Sequence, residues 1–533
     1  MTALRAVTIG DVLAETAQRF PGHPALIYQG RTINYGELIH QVCQAAKGLA
    51  ALGVKKGVRV AVWETDRPNA VICLYALWML GAVSVLPNTS LGIDEMRRLL
   101  SRAHVEILLY GKGYKDISFP EVVAKLPPVE GMRLAFFIGE EDGAEVASGM
   151  KEIFRVGENL SGEEFLKMCR CVSPEDAATL LFTSGTTGQP KGVLTSHYAR
   201  INSALCQADD LNAIASDRFL TAIPLFHCFS MTVNLLGSMV RGACLYLPKD
   251  RRTKTLLEGI SVDRCTVLCA VPSLFKAMLA RSDFDHYDLS SLRIGLVGGA
   301  MTRADEMRLF RERFAFELLP SLGQTEATGG ITVASPQDSI KAKLETVGHF
   351  MEHIEGKIVD PYTGKTIPQG ATGEIVVRGY CLMMGYDGLP GETQKVIDQE
   401  GFLHTGDLGL IDKEGNVHLK GRLRKNIIRG GENIDPVEIE NCLLDDARIQ
   451  SVCVVGVPDA HYGEAVCACV VAEPGSSLDS IAVRQVVRAR LAYYKVPKYV
   501  LLWDLLPEGE QGKRPLAAIR EMAIEHIAGG ERG

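Results

Sequence analysis

The sequence lacks most of the features that would mark it as anything but an ordinary globular chain. Cysteine is sparse: 14 in 533 residues, scattered, is far below the density of a disulfide scaffold. Cys43, Cys73, Cys206, Cys244, Cys265 and Cys269 sit among apolar neighbours. Cys169 with Cys171, and Cys467 with Cys469, are spaced C-x-C, with no second Cys or His pair at metal-ligand spacing. Buried reduced thiols are therefore expected. An excess of charge is missing too, since 57 Lys and Arg against 64 Asp and Glu leave a formal net charge of −7. Nucleic-acid binding, which favours a basic stripe that neutralises phosphates, is not expected. No apolar run reaches the roughly 20 residues of a membrane span. Residues 70–86 come nearest, but Gly81 and Ser84 interrupt them and Pro87 ends them. They read as a buried helix, a glycine stop and a short strand. Residues 1–20 carry Asp11 and Glu15 where a signal peptide needs an apolar stretch. A cytoplasmic chain that is not an integral membrane protein is the expectation.

A hydrophobic share of 47% with 23% charged residues is ordinary for an enzyme. The length suggests roughly two to four compact units. Strand-like apolar bursts at 58–63, 82–86, 219–223, 266–271 and 292–297 alternate with helical patterns, among them 69–80 and 93–103. That alternation predicts parallel sheets covered by helices. From about 354 the texture changes to short strands (354–359, 373–378, 417–419) separated by Gly or Pro, which predicts a β-rich subdomain over about 354–423. A final block reads as helix 438–444, strands 449–458 and 464–472, helix 481–490 and strand 500–503. The expected fold is α/β, with a large N-terminal domain over 1–423 and a small α+β domain over 424–533. Neither an internal repeat nor a low-complexity linker is present, so the joint between them is short.

One segment stands out chemically. Residues 180–182, Leu-Leu-Phe, run into Thr183, Ser184, Gly185, Thr186, Thr187 and Gly188, then Gln189, Pro190 and Lys191. Glycines free the backbone so that successive N–H groups face phosphate oxygens, hydroxyls add donors, and Lys191 supplies a mobile cation. The spacing Gly-x-x-Gly-x-x-Lys-Gly is not that of a Walker loop, so a P-loop NTPase is disfavoured. A flexible surface turn is the competing reading. The strand leading in and the unbroken hydroxyl-or-glycine run favour phosphate.

Residues 183–193 resemble the signature loop of the AMP-forming acyl-adenylate synthetases, the superfamily of acyl-CoA synthetases, nonribosomal adenylation domains and firefly luciferase. The resemblance continues in order along nearly the whole chain. It includes Pro224-Leu225-Phe226-His227, Gly298-Gly299-Ala300, Gly323-Gln324-Thr325-Glu326, Gly373-Glu374-Ile375 and Thr405-Gly406-Asp407. Gly421-Arg422, Gly430-Gly431-Glu432-Asn433, Lys495-Val496-Pro497, Leu506-Pro507 and Gly512-Lys513 complete the series.

The resemblance implies roles. Residues 183–188 and Lys191 would hold the triphosphate, and Gly298, Gly299, Ala300, Leu322, Gly323 and Gln324 the adenine side. Thr325 and Glu326 would act at the phosphates, with Glu326 as the Mg²⁺ ligand, an ion that suits one carboxylate plus phosphate oxygens. Asp407 would accept the ribose hydroxyls and Arg422 would add a ribose or phosphate contact. His227 and Phe229 would line the acyl pocket. Lys513 is implied as the catalytic cation between the attacking carboxylate and the α-phosphate. Arg424 falls at the hinge, about which the C-terminal domain would rotate to bring Arg429, Gly430 and Gly431 to a tunnel for the CoA thiol. Two segments depart from the family pattern: Leu322 stands where an aromatic residue is usual, and Gly509 and Gln511 replace hydroxyl residues before Lys513.

Amino-acid-activating members of the family it resembles place an Asp near this motif to pair the α-ammonium; the stretch His227-Cys228-Phe229-Ser230-Met231 has none, and an ammonium would be costly to bury alone. With Val233 and Leu235 its apolar residues favour a fatty or aryl-alkyl acid, with ordinary helix core as the competing reading. The leading expectation is a stand-alone acyl-CoA ligase using a carboxylic acid, MgATP and CoA, with a homodimer left open. One alternative loads a carrier-protein pantetheine in trans, and another is a nucleotide-binding protein without efficient catalysis.

Overall fold

The computed structural model describes residues 3–139, 148–183, 190–423, 426–507 and 516–530. It divides into two compact units. The first comprises Met1–Thr89, Leu99–Leu181 and Gly192–Leu423; the second comprises Ser90–Arg98, Phe182–Lys191 and Arg424–Gly533.

The first unit is built on two large sheets. One runs, in spatial order, Gly385–Tyr386, Lys191–Ser196, Ala177–Thr183, Val83–Val85, Arg59–Trp63, Ile107–Tyr110 and Leu134–Phe137. Its central pairs are parallel, with Arg59 opposite Val83 and Val60 opposite Ile107. The other runs His349–Phe350, Thr332–Val333, Glu317–Leu322, Ile294–Val297, Val267–Leu268, Arg218–Leu220, Cys244–Leu247, Pro24–Tyr28 and Arg31–Asn34. Its interior is parallel, whereas Arg31–Asn34 at one edge and Thr332–Val333 and His349–Phe350 at the other pair antiparallel. Strands buried on both faces read as continuous apolar runs, which is why the bursts in the sequence mark them.

The helix Pro68–Met79 shows why the longest apolar run belongs indoors. Every residue from Ala70 to Met79 is buried, so the helix has no solvent face to make polar. It stops at Leu80, after which Gly81 takes the left-handed conformation, φ +68°, and the strand Val83–Val85 begins. An antiparallel four-stranded sheet, Ile354–Val359, Gly373–Gly379, Leu403–Ile411 and Val417–Arg422, completes the unit.

In the second unit the hairpin Ile449–Asp459 and Gly463–Ala472 carries Tyr499–Leu502 as a parallel neighbour. Alternation along it feeds two apolar cores. Val452, Val454, Val466, Ala468 and Val470 pack with helices Pro436–Leu444 and Ser480–Arg490. Cys453, Val455, Cys467 and Cys469 pack with Ile519 and Ala523 of helix Leu516–Ala528. Among the described residues no helix is long and apolar enough to cross a membrane, and no group of three or more His, Cys, Asp or Glu could hold a metal ion.

Replacing Gly81 by Ala places a Cβ in left-handed backbone and 3.0 Å from the Val172 side chain. We expect Gly81→Ala to lower unfolding free energy by about 1–2 kcal/mol, read from urea denaturation. An unchanged midpoint would contradict the glycine-stop argument.

Candidate active site

Strand ends supply most of the candidate residues of the first unit. Ile294–Val297 runs parallel to Glu317–Leu322 and issues into Gly298, Gly299 and Ala300, with Gly299 left-handed at φ +76°. A Cβ on Gly298 would lie 2.7 Å from Ser321 Oγ and 3.8 Å from Phe229 Cζ, so the half-buried Phe229 ring borders the backbone of this loop. His227 occupies the N-cap position of the short helix Cys228–Ser230, its ring 4.4 Å from that of Phe226. The buried Leu322 closes the neighbouring strand and belongs to the main apolar core.

Gly323 and Gln324 then lead into the 3₁₀ turn Thr325–Ala327. Thr325 and Glu326 are half-buried. The Thr325 hydroxyl donates to Cys228 Sγ at 3.4 Å, and burial pushes the Cys228 thiol pKa up. Glu326 is braced twice. Tyr386 Oη donates to Glu326 Oε1 at 2.9 Å, and the Met383 N–H donates to the Glu326 carbonyl at 2.9 Å. Tyr386 in turn faces Val193 in the antiparallel pair with Lys191–Ser196. Sequence reasoning missed Tyr386. It sits 60 residues from Glu326 in a two-residue strand, and nothing local signals the partnership.

Asp407 and Arg422 face each other across the antiparallel pair Leu403–Ile411 and Val417–Arg422. Arg422 Nε donates to Asp407 Oδ1 at 2.6 Å, while the buried Asp407 Oδ2 has no hydrogen-bond partner among the described residues. Burial raises the Asp407 pKa and the Arg422 charge opposes that rise. Glu374, from the Gly373-Glu374-Ile375 motif, holds the turn that presents this pair. Its Oε1 accepts from the Gly406 N–H at 3.0 Å, and its Oε2 lies 2.8 Å from His404 Nδ1. The hydrogen bond to Glu374 is the main reason the His404 pKa is raised.

In the second unit, Thr183 ends the strand Ala177–Thr183 and the buried Lys191 begins Lys191–Ser196. Gly430 and Gly431, at φ +61° and +91°, form the two-residue loop between Ile427–Arg429 and Glu432–Ile434. Two consecutive positive φ values are what the tightest hairpin loops require, so glycine at both places has a backbone reason. Arg429 donates to the Tyr494 carbonyl at 2.6 Å and lies over the Tyr462 ring. Lys495 is buried and bonds Glu438 at 2.9 Å. Ser184, Gly185, Thr186, Thr187, Gly188, Arg424 and Lys513 lie outside the described residues.

Glycines at strand ends, a carboxylate braced beside a hydroxyl, and a buried carboxylate with a spare oxygen suit a nucleotide's phosphates and ribose. They put the molecule among the nucleotide-using α/β enzymes. Comparison with known proteins narrows this. Residues 13–387 match the family model of the AMP-binding enzymes, and residues 438–513 that of the AMP-binding enzyme C-terminal domain. YngI of Bacillus subtilis (strain 168), named as a candidate acyl-CoA synthetase, is 33% identical over 98% of both chains. The mitochondrial medium-chain acyl-CoA ligase ACSF2 of Mus musculus is 30% identical over 98% of this chain and 88% of its own length. Among solved structures, o-succinylbenzoate CoA synthetase (MenE) from Bacillus subtilis, bound to its product analogue, is similar at TM-score 0.80 and 27% identity. That match covers 96% of this chain and 98% of MenE. The chain belongs to the AMP-binding enzymes, the AMP-forming acyl-adenylate synthetase superfamily. It is an acid–thiol ligase, and ATP and CoA fit as its substrates.

The His404–Glu374 contact gives a pH prediction. The raised folded-state pKa means that its stabilisation is fully present below the unfolded value near 6.5 and is lost as pH rises through the higher folded value. His404→Asn is expected to cost about 1 kcal/mol well below pH 6.5 and little well above it, by denaturation at a series of pH values. A pH-independent cost would contradict the assigned pairing.

Proposed function

We propose that the chain is a stand-alone acyl-CoA ligase working in two half-reactions. A carboxylate oxygen of the acid attacks the α-phosphorus of ATP, and pyrophosphate leaves as the acyl-AMP forms. The CoA sulfur then attacks the acyl carbonyl carbon and AMP leaves. In this reading residues 1–423 hold the nucleotide and acid, and residues 424–533 form a small domain joined at Arg424.

The observation that carries the proposal is the braced Thr325–Glu326 turn. A lone surface Glu is free to turn away, whereas Tyr386 and the Met383 N–H hold this one beside a hydroxyl donor. A hard carboxylate oxygen next to phosphate oxygens fits Mg²⁺, which is usually held by one or two carboxylates and substrate phosphates. Bound there, the ion would supply charge neutralisation on the phosphates. Asp407 and Arg422 support a ribose site, because the unpartnered Oδ2 leaves an acceptor for a sugar hydroxyl. Thr183 and Lys191, at the two ends of the hydroxyl-and-glycine loop, are assigned to the triphosphate. Gly298, Gly299, Ala300, Leu322, Gly323 and Gln324 are assigned to the base.

Lys513 is assigned to the first half-reaction, where a cation between carboxylate and α-phosphate gains interaction energy as charge develops. Arg429, Gly430 and Gly431 are assigned to the second, since side-chain-free glycines leave room for a narrow pantetheine arm. His227 and Phe229 border the acyl group. The absence of an Asp beside them supports an acid without an α-ammonium, with an apolar acyl or aryl-alkyl body against Phe229.

Two mutations test the assignment. Lys513→Ala should slow acyl-AMP formation by about 100-fold or more, yet leave thioester formation from supplied acyl-AMP and CoA largely intact. Equal losses in both half-reactions would remove Lys513 from the assigned role. Tyr386→Phe should lower kcat/KM for MgATP by about tenfold, the worth of one hydrogen bond to a charged group, with partial recovery at raised Mg²⁺. Unaltered kinetics would mean that the brace on Glu326 has no bearing on catalysis.

A further inference from the structure

Helix His197–Asp210 carries a buried polar face that nothing so far explains. Arg200, Ser203 and Gln207 stand three and four residues apart, hence on one side of the helix, and all three are buried. Arg200 is 0% exposed. Its Nε donates to Thr195 Oγ1 at 2.9 Å and its Nη1 to Thr232 Oγ1 at 3.1 Å, while Nη2 has no partner among the described residues. Ser203 Oγ and both amide atoms of Gln207 are likewise unpartnered. No carboxylate bonds or ion-pairs with the guanidinium among the described residues. Burial pulls the arginine pKa down, to about 10, and among the described residues only the nearby Cys228 thiol opposes that fall.

The place matters. The helix packs against the π-helical stretch Met231–Leu236, which follows directly on the short helix Cys228–Ser230 that contains Phe229, and π-helical turns recur at functional sites. Thr232, which receives Arg200 Nη1, donates its own hydroxyl to the Thr328 carbonyl at 2.9 Å. Thr328 closes the 3₁₀ turn that begins at Thr325, and Thr325 bonds Cys228. Gln207 lies against Gly330, where a Cβ would overlap its amide. The guanidinium is therefore linked, through Thr232 and the Thr328 carbonyl, to the turn that begins at Thr325. A buried cation held only by two neutral hydroxyls is costly unless an anion completes it. Arginine is suited to that anion, because its fork pairs a carboxylate with two parallel hydrogen bonds.

We propose that the preferred substrate is a short dicarboxylic acid, one carboxylate being adenylated while the distal one pairs with Arg200 Nη2 and the polar face of helix His197–Asp210. The proposal rests on the ligase reading but gives the acid a charged far end in place of a wholly apolar body. A site built to hydrogen-bond a polar group discriminates strongly against the analogue that lacks it, because its own buried donors are then left unpaired.

The test is pyrophosphate release by the full-length enzyme with MgATP and CoA. Glutaric and adipic acids are compared with pentanoic and hexanoic acids and with the monomethyl esters of the diacids, alongside a panel of longer fatty and aryl acids. The wild-type enzyme should show kcat/KM at least about tenfold higher for each diacid than for its monoacid and ester counterparts. Arg200→Met should cut the diacid-to-monoacid ratio by about tenfold or more, and Arg200→Lys should restore part of it. The wild-type comparison stands even if a variant fails to fold. Equal use of diacids and monoacids, a preference for monoacids, or an equal loss on both in Arg200→Met would each overturn the dicarboxylate assignment while leaving the ligase reading intact. If no acid of any kind drives release, the ligase reading falls and this inference falls with it.

Discussion

Parallel strands covered by helices on both faces have no place along their length for charged chemistry, so the chemistry is pushed to their ends. In the first unit that constraint sets the layout. Gly298, Gly299 and Ala300 follow the last buried residue of Ile294–Val297, and Gly323 to Glu326 follow Glu317–Leu322. Because these two strands are parallel neighbours, their loops emerge on the same edge of the sheet. Open parallel sheets bind ligands at the carboxyl ends of their strands for this reason. The antiparallel Asp407–Arg422 pair obeys a different rule. There, direct cross-strand facing brings the two side chains together.

Groups outside the reacting set hold these residues in place. Glu326 depends on a tyrosine from another strand, and the turn before Asp407 depends on Glu374, which itself engages His404. Such braces fix a carboxylate's direction before any ligand arrives, and preorganised groups need not be reoriented at the moment of reaction. Arg200 follows the same logic inside the core. Two threonine hydroxyls orient the guanidinium and leave one nitrogen spare.

Much of this architecture was legible in the sequence, for reasons that can be named. The buried helix Pro68–Met79 and its stop at Gly81 follow from an apolar run broken by a residue that tolerates positive φ. The strand Ile354–Val359 and the hairpin Ile449–Asp459 with Gly463–Ala472 follow from alternation and turn residues, and their limits fall within a residue of expectation. Motif order made the family recognisable. What was not legible depends on long-range contact. Tyr386 shows no local pattern, the terminal helix Leu516–Ala528 was not foreseen, and Arg200 looks on paper like one solvated charge in an otherwise unremarkable helix. Even the apolar reading of Met231, Val233 and Leu235 was incomplete, since Thr232 and Asn234 between them are fully buried as well.

The account stands on acid activation through a mixed anhydride with AMP. Its most direct measurement is the exchange of labelled pyrophosphate into ATP, with Mg²⁺ present and CoA withheld. The account predicts exchange that appears only when a carboxylic acid is added. Acid-dependent cleavage of ATP to ADP and phosphate, with no label entering ATP, would contradict it.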